Sequence, residues 1–173
     1  VDRNGRAMRG LMDLGFGGVE IGSVTTDAEY CDGNEFVAKL YPEFETVAHG
    51  GLSSPSSKAV TQNLMLKTAK WSDELLSQTP IGVSISQNKE TTQFVPDIAH
   101  LDYAKSIEDV AEFSDYIVIN ICGEGPGYDQ YRQEKKLRKL VNKVKDTIHL
   151  EIGLMATLEE ALELQKKYNL GST

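Results

Sequence analysis

Three observations in this 173-residue sequence predict an α/β protein built on parallel strands. Short, nearly all-apolar runs alternate with longer runs of helical period, the pattern of βαβ units. Residues 116–121 (YIVINI) are apolar on both faces except at Asn120, as a strand covered on both sides must be. The segments between such runs are long enough to carry the crossover that a parallel pair requires.

The elements follow in order. Ala7, Leu11 and Leu14 mark a helix over residues 5–14, stopped by Gly15, which can take the left-handed conformation of a helix end. A strand is expected over 17–22, where GGVEI is bounded by glycine. Residues 57–77 read as the next helix and 81–85 (IGVSI) as the next strand. Over 98–113, Ile98, Leu101, Ala104, Ile107, Val110 and Phe113 recur at i+3 and predict an apolar stripe on a helix. The strand 116–121 follows. Leu137, Leu140, Val141 and Val144 give a helix over 131–145, and 148–152 (IHLEI) the fourth strand. Thr157 with Glu160 forms a capping box for a last helix, 157–168.

A helix that begins almost at residue 1 lacks a strand before it, and a complete (β/α)8 barrel needs about 250 residues. The prediction is therefore a single partial (β/α)8 TIM barrel over residues 1–173, shortened at both ends and entered at the end of its first strand. Residues 25–52 break the alternation and are expected to form a long excursion over the barrel mouth. Leu158, Ala161, Leu162 and Leu164, with Leu150 and Ile152, would form an apolar patch that another protein chain or further sequence must cover.

Composition excludes several classes. Eighteen Lys+Arg against 26 Asp+Glu give a net charge of -8, which speaks against nucleic acid as the main partner. Two cysteines cannot build a disulfide framework, and no apolar run approaches the roughly 20 residues that cross a bilayer. The chain opens on Val1 with neither a basic nor an apolar leader-like run, so no targeting signal is visible in it, and the missing initiator Met leads to the expectation of further residues upstream.

The candidate chemical motifs each have an ordinary explanation. Gly123-Glu124-Gly125-Pro126-Gly127 follows a strand, where glycine loops cradle phosphates, but Tyr128 breaks the dinucleotide fingerprint. A turn is the preferred reading, with a nucleotide-binding module as the alternative. The basic run Arg132, Lys135, Lys136, Arg138, Lys139, Lys143 and Lys145 reads as the solvated face of an amphipathic helix. His49, His100 and His149 lack metal-ligand spacing, so no metal site is expected. Cys122 stands past a barrel strand, where catalytic groups sit, yet no adjacent base or cation marks it as activated. Glu20 and Glu151 sit inside apolar strands, either paired within the barrel or facing the helices.

Residues 15–25, GFGGVEIGSVT, resemble the opening of the class 2 dihydroorotate dehydrogenases, membrane-associated mitochondrial flavoenzymes of pyrimidine synthesis. Val1-Asp2-Arg3-Asn4-Gly5 resembles that family's Phe-Asp-Lys-Asn-Gly. Residues 81–89 (IGVSISQNK) resemble its Gly-Val-Asn-x-Gly-x-Asn-Lys, and residues 115–121 its Asp-Tyr-x-x-x-Asn-x strand. The resemblance runs through essentially the whole chain.

It implies that Gly22, Ser23 and Asn120 stand at flavin-contacting positions. Ser84 stands where the family has another flavin-contacting Asn. The base position holds Gly123, a substrate-binding Asn position holds Gly125, and Glu151 falls where a lysine would stabilise reduced flavin. Ser53-Ser54-Pro55-Ser56 aligns where the family has Asn-Ser-His-Gly, and Arg3 replaces a lysine. Glycine cannot carry a proton. The expectation is thus a catalytically degenerate relative without catalytic residues or cofactor. It would act as a structural or assembly subunit of a larger protein complex at the mitochondrial inner membrane. The alternative is an active FMN-dependent dihydroorotate dehydrogenase with Cys122 as its base.

Overall fold

In the computed structural model, residues 2–30, 36–40, 45–49, 53–71, 79–89, 94–122, 126–147 and 151–155 are described. Four parallel strands form one sheet: β1 (Val19–Val24), β4 (Ile81–Ile85), β5 (Tyr116–Asn120) and β6 (Glu151–Met155), in the spatial order β1-β4-β5-β6. Each neighbouring pair is parallel, with Val19 beside Ile81, Gly82 beside Tyr116 and Tyr116 beside Glu151. Asp2 makes a parallel bridge to Ile21, so the chain enters at the end of a strand that precedes β1. Sequential parallel strands with helices between them make a partial (β/α) barrel, as expected.

The helices differ from expectation in instructive ways. The first, α1 (Met8–Asp13), starts three residues later than its periodicity suggests. The buried Asp2 carboxylate accepts hydrogen bonds from the backbone N–H groups of Asn4, Arg6 and Ala7, and the Ala7 bond is 2.7 Å. Amide protons held by a side chain favour a turn over helix at these positions. Gly15, at φ 85°, ends α1, and its N–H returns to the Met12 carbonyl.

Helix α2 (Ser57–Thr68) buries Val60 and Leu64; of its expected extension to 77, residues 72–78 lie outside the described residues. Helix α3 (Ala99–Val110) is flanked by single 3-10 turns, Pro96–Ile98 and Ala111–Phe113. Its buried face is Ala99, Tyr103, Ala104, Ser106, Ile107 and Val110, which keeps Ala104, Ile107 and Val110 of the expected i+3 row. Ile98 and Leu101 are 42% and 47% exposed. A strict i+3 row drifts around a helix of 3.6 residues per turn, so a stripe that meets one sheet must alternate steps of three and four.

A one-turn helix, α4 (Pro126–Asp129), precedes α5 (Glu134–Thr147), which buries Leu140 and Val144. The fourth strand lies three residues beyond the expected 148–152. The expected helix 157–168 and its apolar patch lie outside the described residues.

The excursion after β1 contains an antiparallel hairpin, β2 (Phe36–Leu40) and β3 (Glu45–His49), which the loop reading missed. Its base is closed by a two-residue clasp. Glu29 N–H donates to the Ser54 carbonyl and Ser54 N–H to the Glu29 carbonyl, both at 2.9 Å.

The core lies between sheet and helices. Val19, Ile21, Val83, Ile85, Ile117 and Ile119 meet Met8, Val60, Leu64, Tyr103, Ile107, Leu140 and Val144 there. The opposite face carries Glu20, Gly22, Gly82, Ser84, Tyr116, Val118 and Asn120 by strand alternation. That face is the barrel interior, and its C-terminal end holds the candidate site.

Candidate functional site

At the C-terminal ends of β1, β4 and β5, three polar side chains meet on the interior face. The Asn120 carboxamide donates from Nδ2 to Ser23 Oγ at 2.7 Å, and Ser23 Oγ lies 3.0 Å from Ser84 Oγ. Asn120 Oδ1 accepts the backbone N–H of Cys122 at 2.8 Å, which fixes the carboxamide's orientation. Two of the expected site residues, Ser23 and Asn120, are thus brought together, with Ser84 as a third member.

Gly22 supports the cluster through its backbone. Its φ is 132°, its peptide to Ser23 is cis, and the β1–β4 register breaks between Ile21 and Val24. A Cβ at this position would come 2.5 Å from the Ser84 carbonyl oxygen. Only glycine lets β1 bulge here and turn the Ser23 hydroxyl towards its neighbours.

The cluster carries no charge of its own. Behind it lies a buried polar rim. Thr25 N–H donates to Ser54 Oγ, and Thr26 Oγ1 donates to the Asp102 carbonyl and lies 2.8 Å from Ser106 Oγ. Asn88 Nδ2 donates to Glu29 Oε1 and to the Asp27 carbonyl. These contacts tie the loops after β1 and β4 to α3, so the strand ends are held from below.

Tyrosines complete the arrangement, and the sequence reading overlooked two of them. Tyr128, read only as a break in the glycine fingerprint, lies with its hydroxyl 2.6 Å from Ser86 Oγ. Tyr103 donates its hydroxyl to the Asn120 carbonyl at 2.8 Å. Burial pushes the ionisation of both phenols upward. A signal for Tyr103 was available, since it falls four residues after Ala99 on the buried face of α3.

Other candidates resolve differently. Glu20 lies on the interior face, and the Tyr116 phenol, raised chiefly by desolvation, faces its carboxylate. Tyr116 covers Gly82 so closely that no Cβ fits there. Glu151 is paired with Tyr116, whereas Met155 is the β6 residue beside Asn120. Four residues of strand separate those levels, about 13 Å at ~3.3 Å per residue. The register therefore sets Glu151 well below the strand-end cluster on its own strand.

His100 lies on the outer surface with Nδ1 3.0 Å from the Asp97 carbonyl, and among the described residues no acidic, His or Cys cluster could hold a metal. Gly123 to Gly125 lie outside the described residues, and the helix that follows them has one turn. The expected basic face is present on α5. Two surface hollows, of about 460 and 470 Å³, open among Arg6, Lys70 and Trp71 and among His100, Lys139 and Lys143. Neither shares a residue with the strand-end cluster.

A family model described as dihydroorotate dehydrogenase matches residues 1–167. The mitochondrial dihydroorotate dehydrogenase (quinone) of Mus musculus is 28% identical over 144 residues, covering 83% of this chain and 35% of the mouse protein. The dihydroorotate dehydrogenase (quinone) of Thermobifida fusca is 30% identical over 149 residues, 85% of this chain and 37% of its own. The ligand-free DHODH of Eimeria tenella superposes with a TM-score of 0.71 at 25% identity, covering 92% of this chain and 43% of that one. The chain thus spans well under half the length of these relatives. They include a mitochondrial protein and a bacterial one, and among the described residues no helix is long and apolar enough to cross a membrane. The expectation of a protein that is not an enzyme is corrected by these findings, because the relatives are named as enzymes. That expectation rested on lost side chains such as that at Gly123, whereas Ser23, Ser84 and Asn120 still meet at the strand ends.

Proposed function

The chain belongs to the dihydroorotate dehydrogenase family, and from that premise we propose that it forms the flavin-facing part of an FMN-dependent dihydroorotate dehydrogenase that reduces a quinone. The observation that carries this reading is the Ser23–Ser84–Asn120 cluster at the C-terminal strand ends, where barrel enzymes bind their ligands. All three members stand at positions where the resembling family contacts flavin, Ser84 in place of an Asn.

The residues suit such a group. Asn120 Nδ2 uses one of its two protons on Ser23, so the other remains to donate, and the serine pair shares two hydroxyl protons around one mutual contact. Gly22 keeps the backbone low enough for a planar ring to approach. Ser23, Ser84 and Asn120 would hold the cofactor, and Gly22 would line it. When bound, FMN takes a hydride from the substrate and passes electrons to the quinone. This reading replaces the expectation of a cofactor-free subunit.

A proton acceptor is also required. Gly123 carries no side chain, so the role falls to a neighbour. Cys122 lies two residues past the end of β5, is tied to Asn120 through its backbone N–H, and lies close enough to Tyr128 to raise that phenol. A thiolate there would take the proton as the hydride leaves.

The test uses the full-length protein. It should purify yellow, or take up added FMN, and reduce a short-chain ubiquinone when dihydroorotate is supplied. Protein that stays colourless with excess FMN and shows no dihydroorotate-dependent turnover overturns the reading.

A further inference from the structure

We propose that Tyr103 is a positioning residue for this site, whose buried hydroxyl sets Asn120 at the height from which its carboxamide meets the flavin. The inference rests on the flavin reading above.

Tyr103 lies on α3, behind the sheet, and is fully buried. The last β4–β5 pair is Ile85 beside Ile119, so Asn120 is the first β5 residue past that ladder. Its carbonyl accepts the Tyr103 hydroxyl at 2.8 Å, and the backbone of Gln87, just past the end of β4, approaches the same hydroxyl. The phenol thus stands where the ladder between β4 and β5 has run out. The Asn120 backbone is held by Tyr103 from behind, while its carboxamide is held in front by Ser23 and by the Cys122 N–H.

A phenylalanine would fill the same volume, so packing alone does not call for the hydroxyl. The neighbouring ring shows the contrast. Tyr131 packs edge-to-face on Tyr103, with ring centroids 5.9 Å apart, and its buried hydroxyl has no hydrogen-bond partner among the described residues. Two phenols of similar burial share one pocket, and only that of Tyr103 touches the main chain of a site residue. The Tyr103 side chain reaches neither Ser23 nor Ser84, so it would act on the flavin through Asn120 alone.

The experiment compares Tyr103→Phe with Tyr131→Phe in the full-length protein. Loss of one buried hydrogen bond of about 1.4 kcal/mol corresponds to roughly tenfold. Tyr103→Phe should weaken FMN binding by about that factor and shift the visible flavin band, and Tyr131→Phe should leave both unchanged. Hydrogen exchange on the flavin-free protein should quicken in peptides covering 116–122 for Tyr103→Phe alone. In an Asn120→Ala background, Tyr103→Phe should add no further loss of FMN affinity. If Tyr103→Phe fails to fold, 3-fluorotyrosine at position 103, a stronger donor of the same shape, should shift the flavin band in a wild-type fold. Equal effects of the two Phe variants, additivity with Asn120→Ala, or an unmoved band with fluorotyrosine would each overturn the proposal. A protein that binds no FMN defeats the flavin reading, and the exchange experiment still decides whether Tyr103 orders Asn120.

Discussion

The strand-end site depends on single atoms, and Gly22 shows how narrow the tolerance is. A methyl group there would meet the Ser84 carbonyl oxygen at 2.5 Å, on a backbone whose φ of 132° side chains rarely adopt. Gly22→Ala should cost about 2–4 kcal/mol, since both strain and overpacking act at one position. Its denaturant midpoint should fall while its m-value holds. Cys122→Ala tests the proton acceptor. The substitution removes the thiol but leaves the backbone N–H that orients Asn120, so flavin content should persist while dihydroorotate-dependent turnover drops by about 10²–10⁴-fold. Loss of flavin together with activity would instead assign Cys122 to binding.

At the scale of elements, Asp2 organises the entry to α1. Its buried carboxylate accepts three backbone N–H groups, and Asp2→Ala would strand those of Asn4 and Ala7 while Arg6 keeps the Asn4 side chain. A loss of about 1–3 kcal/mol is expected, read as a lower melting temperature with early hydrogen exchange over residues 2–13. The elements were legible to different degrees. Residues 81–85 and 116–120 announced themselves because a strand buried on both faces, or on one face and half-buried on the other, has little room for polar residues. The hairpin β2–β3 did not, because it lies outside the parallel sheet and its apolar runs, Phe36-Val37-Ala38 and Val47-Ala48, are short and set among Gly, Asp and Glu. The start of α1 was misread because Asp2 and Asn4 capture amide protons that periodicity assigns to a helix. The site was partly legible for a similar reason. Ser23 and Asn120 break apolar strands and draw notice, whereas Tyr103 lies on a helix where a buried aromatic looks like ordinary core.

Across the whole molecule, burial of phenols sets the alkaline limit of stability. Desolvation raises Tyr103, Tyr128 and Tyr131 above their usual value of 10.0, which they regain on unfolding. Groups raised on folding contribute stability that is complete below their unfolded value and is lost as pH climbs above it. Stability should therefore hold up to about pH 10 and then fall steeply, with phenolate absorbance from these rings appearing together with unfolding. At the acid side, burial and the nearby lysines lower His100, so its share of stability is complete above pH 6.5 and declines as pH drops below that value. An NMR titration of His100 would show a depressed midpoint, and a midpoint above 6.5 would contradict the packing of α3 against α5.

The clasp between Glu29 and Ser54 has a practical implication for anyone rebuilding this chain. The backbones of Glu29 and Ser54 hold each other through two hydrogen bonds, so the two ends of the excursion lie side by side. Residues 31–52 could be exchanged for a short glycine-rich bridge or for a foreign domain whose termini lie close together. The parallel sheet would keep its register, because no strand of that sheet pairs with the hairpin. The barrel thus comes with a built-in socket, and grafting there would give a chimera on an unchanged parallel sheet.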